Sequence, residues 1–151
     1  MKKLITLLLV FNCLLSISQT KLEILVFNEV NKYRIENSLP PLNWNDCSYM
    51  AAKKQTEYID NTGDYSHYQK NETFSNPSKR LKFYGCNGSY VENILLCYHL
   101  SNNNEEELAK QIVFIWKDSP NHNKNLLMGT DRVKTGAVSV TTNSACLLLQ
   151  P

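Results

Sequence analysis

Trp116-Lys117-Asp118-Ser119-Pro120-Asn121-His122 closes one helical pattern and opens another. Upstream of it, Leu108, Ile112, Val113, Ile115 and Trp116 form an apolar stripe at helical spacing. Glu105 to Glu107 stand in the first turn of that helix, where carboxylates favour the dipole, with Asn103 or Asn104 as cap. Ser119-Pro120 then pairs an N-cap with a proline at the first helical position. His122 therefore falls in the first turn of a short second helix, whose positive end favours the neutral, metal-coordinating imidazole. Two other fragments carry complementary groups: Asp64-Tyr65-Ser66-His67 and Val91-Glu92-Asn93-Ile94. Two imidazoles and a carboxylate brought together by folding suit zinc or another divalent cation, or an acid/base pair.

The remaining pattern surrounds these fragments with helices and a small sheet. Lys21 to Asn37 is helical, with Leu22, Leu25, Val26, Val30 and Tyr33 mostly at steps of three and four, and Leu39-Pro40-Pro41 ends it. A second helix starts at Asn45 or Asp46 and runs to about Ile59, stopped by Asn61-Thr62-Gly63. Asp64 to Asn87 is polar and irregular, with a short helix around Ser78 to Phe83. Tyr90 to Tyr98, Lys134 to Thr141 and Ala145 to Gln150 have strand composition, and Asn143-Ser144 joins the last two as a hairpin. The fold class expected is α+β with a small antiparallel sheet.

Residues 1–18 read as an export signal: Lys2 and Lys3, then the apolar run Leu4 to Leu15, then Ser16-Ile17-Ser18, with cleavage before Gln19. That run of about 12 residues is short of the roughly 20 that span a bilayer, so the mature chain, 19–151, is expected to be secreted, extracellular or periplasmic, and not membrane-spanning. Loss of Lys2 and Lys3 brings 16 basic side chains to 14, level with the 14 acidic ones. A neutral chain with no basic run and interleaved aromatics excludes nucleic acid as partner. Its length of about 130 residues fits one domain with one core.

Cys13 leaves with the leader, and Cys47, Cys86, Cys97 and Cys146 remain, an even number in an exported chain, which reads as two disulfides. With Asn87-Gly88 as a turn and Ser89 to Cys97 as a strand, Cys97 lies roughly 25 Å past the turn, beyond the ~7 Å that a bridge to Cys86 allows. Of the two pairings left, Cys97 with Cys146 and Cys47 with Cys86 is the one expected. No Cys-x-x-Cys pair supports a thiolate metal site.

In order, Asn31-Lys32-Tyr33-Arg34, Leu39 to Asp46 leading into Ala51-Ala52, Ser66-His67, Val91-Glu92-Asn93-Ile94, Trp116 to His122 and Gly136-Ala137-Val138-Ser139-Val140 resemble the SCP-like extracellular domain of the CAP superfamily, in its bacterial style. The resemblance covers nearly the whole mature chain. It implies a secreted α-β-α sandwich with an open cleft, and places His67, Glu92 and His122 in that cleft, the histidines as metal ligands and Glu92 as the acid. Val91 stands where the family carries glycine, and Ser119 where many members carry a second cleft acid.

The resemblance leaves two classes of function in view. One is a binding module for a divalent metal, or for a small apolar or cell-envelope ligand received between Tyr65, Tyr68 and Tyr90. The alternative is a metal-dependent or acid/base hydrolase using the same cleft residues. A serine nucleophile at Ser66 is disfavoured, since no Gly-x-Ser-x-Gly elbow is present. Asn31 and Arg34 are expected to bind loops, Trp44 and Trp116 to be core, and His99 to be a surface residue.

Overall fold

A computed structural model describes residues 18–97, 100 and 104–151. The expected leader lies outside them apart from Ser18, as do His99, Tyr98 and Asn103. Among the described residues five helices and four strands follow in the order α1 (Lys21–Glu36), β1 (Asn43–Trp44), α2 (Asp46–Thr62), α3 (Pro77–Phe83), β2 (Val91–Leu96), α4 (Glu105–Asp118), α5 (Pro120–Leu126), β3 (Thr135–Val140) and β4 (Ser144–Gln150), with a 3-10 turn at Glu72–Phe74. The sheet order is β1-β3-β4-β2; β1 runs parallel to β3, and the other pairs are antiparallel.

Local chemistry sets the helix ends. Thr20 and Glu23 form a reciprocal capping box on α1. Asn45 caps α2, which runs three residues past the expected Ile59 because Gly63 alone, at φ +67°, supplies the left-handed stop. Asn104 caps α4. Ser119 holds the N-cap position of α5 ahead of Pro120, but its side chain makes no capping bond.

Helices cover both faces of the sheet, the α-β-α arrangement expected. On one face Val26 and Val30 of α1, Ile112, Val113 and Trp116 of α4 and Leu126 of α5 pack with Val138, Leu147 and Leu149. On the other, Ala51, Ala52 and Ile59 of α2 and Leu81 of α3 pack with Ile94, Cys146 and Leu148. Double cover explains why every residue of β4 is buried. Gly136 is required where β3 meets β4, since a Cβ there would stand 2.5 Å from a Leu149 methyl and 2.7 Å from the Leu148 carbonyl oxygen. No helix among the described residues is long and apolar enough to cross a membrane.

One of the two expected disulfides forms. Cys47 at the start of α2 bridges Cys86 after α3, with Cα atoms 6.0 Å apart. The pairing of Cys97 with Cys146 is corrected: both are free and buried. Strand register is the reason. Cys146 pairs with Ile94, and Cys97 lies three residues further along, about 10 Å at strand rise. Strand alternation also sends the two thiols to opposite faces, Cys97 into the α1/α4 core and Cys146 into the α2/α3 core.

Burial pushes the Cys97 thiol up to about 12 and raises that of Cys146 as well, with the Glu92 carboxylate adding to the second. Thiolate is the reactive form. Alkylation without reductant should therefore add nothing to the native protein on a short exposure and two groups in denaturant, read by intact mass. A denatured chain that takes up no alkyl group would restore the second bridge.

Candidate functional site

Among the described residues β2 lies at one end of the sheet and pairs only with β4. Its alternation sends Glu92, Ile94 and Leu96 to the α2/α3 face, and Val91, Asn93 and Leu95 to the face of α1, α4 and α5. The sequence left the orientation of Glu92 open because both sets contain apolar residues; the register decides it. Two segments reach β2 from opposite layers, the loop after α2 carrying His67 and the helix α5 carrying His122.

The first segment is fixed by hydrogen bonds. The Gln55 side chain donates to the Ser66 carbonyl at 2.6 Å, and the Tyr65 hydroxyl donates to the Ile94 carbonyl at 2.9 Å. The Ser66 hydroxyl accepts from the Tyr68 amide and donates to the Tyr68 carbonyl, so it serves the turn. His67 Nδ1 then lies 2.7 Å from Glu92 Oε1. The imidazole is 48% exposed while the Glu92 side chain is 2% exposed, so a buried carboxylate holds a ring that faces solvent.

Arg80 is the residue that the sequence did not single out. Fully buried on α3, it pairs through Nη2 with Glu92 Oε2. Its Nη1 donates to the carbonyls of His67 at 3.2 Å and Phe74 at 3.4 Å. Cys146 Sγ also contacts Glu92 Oε2, at 3.6 Å. Both oxygens of Glu92 are thus engaged. A seven-residue helix has too few turns to show a periodic stripe, so nothing in its pattern marked Arg80 as interior.

On the other side, Asn93 Nδ2 donates to the His122 carbonyl at 3.0 Å, and Asn125 Nδ2 donates to Asn93 Oδ1 at 2.8 Å. Arg34 Nη1 donates to the Leu126 and Met128 carbonyls at 2.8 and 2.9 Å, binding the end of α5 to α1. Asn31 exchanges two bonds with the Leu42 backbone, so both residues act on loops, as expected. Burial lowers the pKa of His122, and the nearby His67 lowers it further. Both act in the direction expected from the sequence, towards a neutral ring. His122 Nδ1 is buried with no hydrogen-bond partner among the described residues.

Tyr65, Tyr68 and Tyr90 are 46, 67 and 37% exposed. Partial burial raises the pKa of the Tyr90 phenol, followed by the neighbouring Glu92 and Tyr68. Among the described residues no three His, Cys, Asp or Glu side chains are grouped to hold a metal ion. A separate cavity of about 380 Å³, lined by Leu22, Cys97, Leu100, Leu108, Ile112 and Val140 among others, shares no residue with this site.

A sequence profile of the cysteine-rich secretory protein family, CAP, matches residues 27–145, the stretch that carries His67, Glu92 and His122. The chain belongs to the CAP family. Among solved structures, an extracellular protein containing an SCP domain from Bacillus anthracis is 21% identical with a TM-score of 0.68, over 85% of this chain and 40% of its own. An outer surface protein from Borrelia burgdorferi is 17% identical with a TM-score of 0.69, over 88% of this chain and 95% of its own. A cysteine-rich secretory protein from Staphylococcus aureus is 15% identical with a TM-score of 0.64, over 85% of this chain and 38% of its own. The chain thus spans less than half the length of the Bacillus and Staphylococcus proteins. At these identities the likeness is one of fold. No curated protein matches the chain.

Proposed function

We propose that this CAP-family chain is a secreted binding module whose His67 and His122 imidazoles take a divalent metal such as zinc, weakly and reversibly. The observation that carries the reading is the His67–Glu92 contact. A carboxylate only accepts, so Nδ1 of His67 carries the proton, and in the neutral ring Nε2 is left with a free lone pair. Carboxylate-backed histidine is the arrangement that fixes ring orientation and raises ligand basicity in metal sites. His122 contributes a ring whose lowered pKa keeps it neutral, with a buried nitrogen that has no partner among the described residues.

The donor set fits a loosely held ion. Glu92 is committed to Arg80 and His67, which leaves two imidazoles as ligands and the other positions to water or to a bound molecule. Structural zinc sites use four protein ligands, so exchange is expected. When bound, such an ion supplies a Lewis acid at the site. A small apolar or cell-envelope ligand between Tyr65, Tyr68 and Tyr90 completes the reading. Secretion is supported by the apolar run expected to act as a leader and by the extracellular and outer-surface descriptions of the proteins that this chain resembles.

The same contact favours a second reading, since a histidine oriented by a buried carboxylate is also the form of a general base in a hydrolase. Calorimetric titration of zinc near neutral pH tests the first. Wild type should give a reversible, saturable heat that the His67→Ala, His122→Ala double variant lacks. Equal affinities in both proteins would end the metal reading. Hydrolysis of a peptide or ester panel by wild type, lost in the double variant, would put the enzyme first.

A further inference from the structure

We propose that Arg80 is a positioning residue for His67, holding the imidazole at both its ring and its backbone from within the core. The proposal deepens the reading of the cleft given above and rests on it for its functional meaning. Its geometry stands on the page. Through Nη2 the guanidinium fixes Glu92, which accepts from His67 Nδ1; through Nη1 it donates directly to the His67 carbonyl. One planar, always-charged group therefore sets where the residue sits and which ring nitrogen carries the proton. The third contact, to the Phe74 carbonyl, ties the 3-10 turn to the same centre.

The alternatives to this role are weaker. Arg80 is fully buried, so it is not a surface cation that folded inward by chance, and burying a guanidinium is costly unless it is paired. Its Nε has no partner among the described residues, so the residue does not satisfy its own donors fully. A side chain present only for packing needs no charge, whereas Arg80 spends its bonds on Glu92, His67 and Phe74. Removing the guanidinium leaves Glu92 a buried carboxylate without its fixed counter-charge, which takes up a proton or leaves its place to reach water. His67 then loses the acceptor for Nδ1–H, and its two neutral tautomers become comparable.

The test reads the tautomer directly, by long-range proton–nitrogen correlation of the histidine rings in chelator-treated protein. Wild type should show Nδ1 of His67 protonated and Nε2 bare. Arg80→Gln should give an averaged pair of nitrogen shifts for His67, while Arg80→Lys, which keeps a charge beside Glu92, retains the wild-type preference. A folded Arg80→Gln variant with the wild-type His67 signature overturns the proposal. For the case that neither variant folds, wild type carries its own check. The Arg80 Nη protons should appear as separate, slowly exchanging signals in the cold, and their collapse into one rapidly exchanging signal overturns the proposal equally. A zinc titration of the same wild-type sample keeps the two readings apart, because absence of binding retires the metal without touching the tautomer.

Discussion

Glu92→Ala lowers folding stability by about 3–5 kcal/mol, the cost of leaving a buried charge without its partner. The Arg80 side chain is 0% and that of Glu92 2% exposed, so water cannot replace the lost carboxylate without opening the α2/α3 layer. Stabilities of domains lie near 5–15 kcal/mol, which makes this a large fraction of the whole and a fall of roughly 10–20 °C in Tm. Removing both charges behaves differently. Arg80→Met with Glu92→Leu is neutral or stabilising by about 1–4 kcal/mol, because a well-packed apolar pair avoids desolvating two ions. Urea denaturation of the single and double variants measures both values. A single variant as stable as wild type would show that the pair is not desolvated in solution. Recovery of stability in the double variant, with His67 disordered in its tautomer, would mean that the ion pair is kept for the cleft at the expense of the fold.

Cys47→Ser with Cys86→Ser costs about 4 kcal/mol on the loop-entropy estimate for a sequence separation of 39 residues. The closed loop contains α2, the loop carrying His67, and α3 with Arg80. Both helices of the α2/α3 layer and the His67 loop are therefore closed by it, while Glu92 on β2 lies outside it. Loss of the bridge frees the unfolded chain more than it strains the native one, so the denaturant midpoint should fall while the native His67 signals persist below the transition. Matched unfolding curves for oxidised wild type and the double variant would contradict the estimate.

Much of this architecture was legible before folding. The stripe of α4, the Ser119-Pro120 boundary and the Asn143-Ser144 hairpin rest on periodicity and turn chemistry, both local properties that a sequence displays. His67 and Glu92 were named as cleft residues from the order of short motifs, and they touch. What stayed hidden depended on register and burial. Strand composition marked β2 without saying which residue of β4 faces Ile94, and that one fact separates Cys97 from Cys146. Arg80 was invisible for a related reason, since its partner Glu92 is twelve residues away across an irregular segment and only the tertiary fold makes a lone arginine interior.

The two free thiols give the molecule a memory of its own unfolding. While the layers stay closed, an oxidant in the surroundings finds no thiolate to attack. Each global opening exposes two reactive sulfurs beside an existing bridge, and exchange through a mixed disulfide is then available. A chain that reshuffles in that interval cannot return by the path it left. In an oxidising medium the working lifetime of this protein is thus governed by how often it opens, and the share of an aged sample that still carries the Cys47–Cys86 pairing records how many molecules escaped exchange.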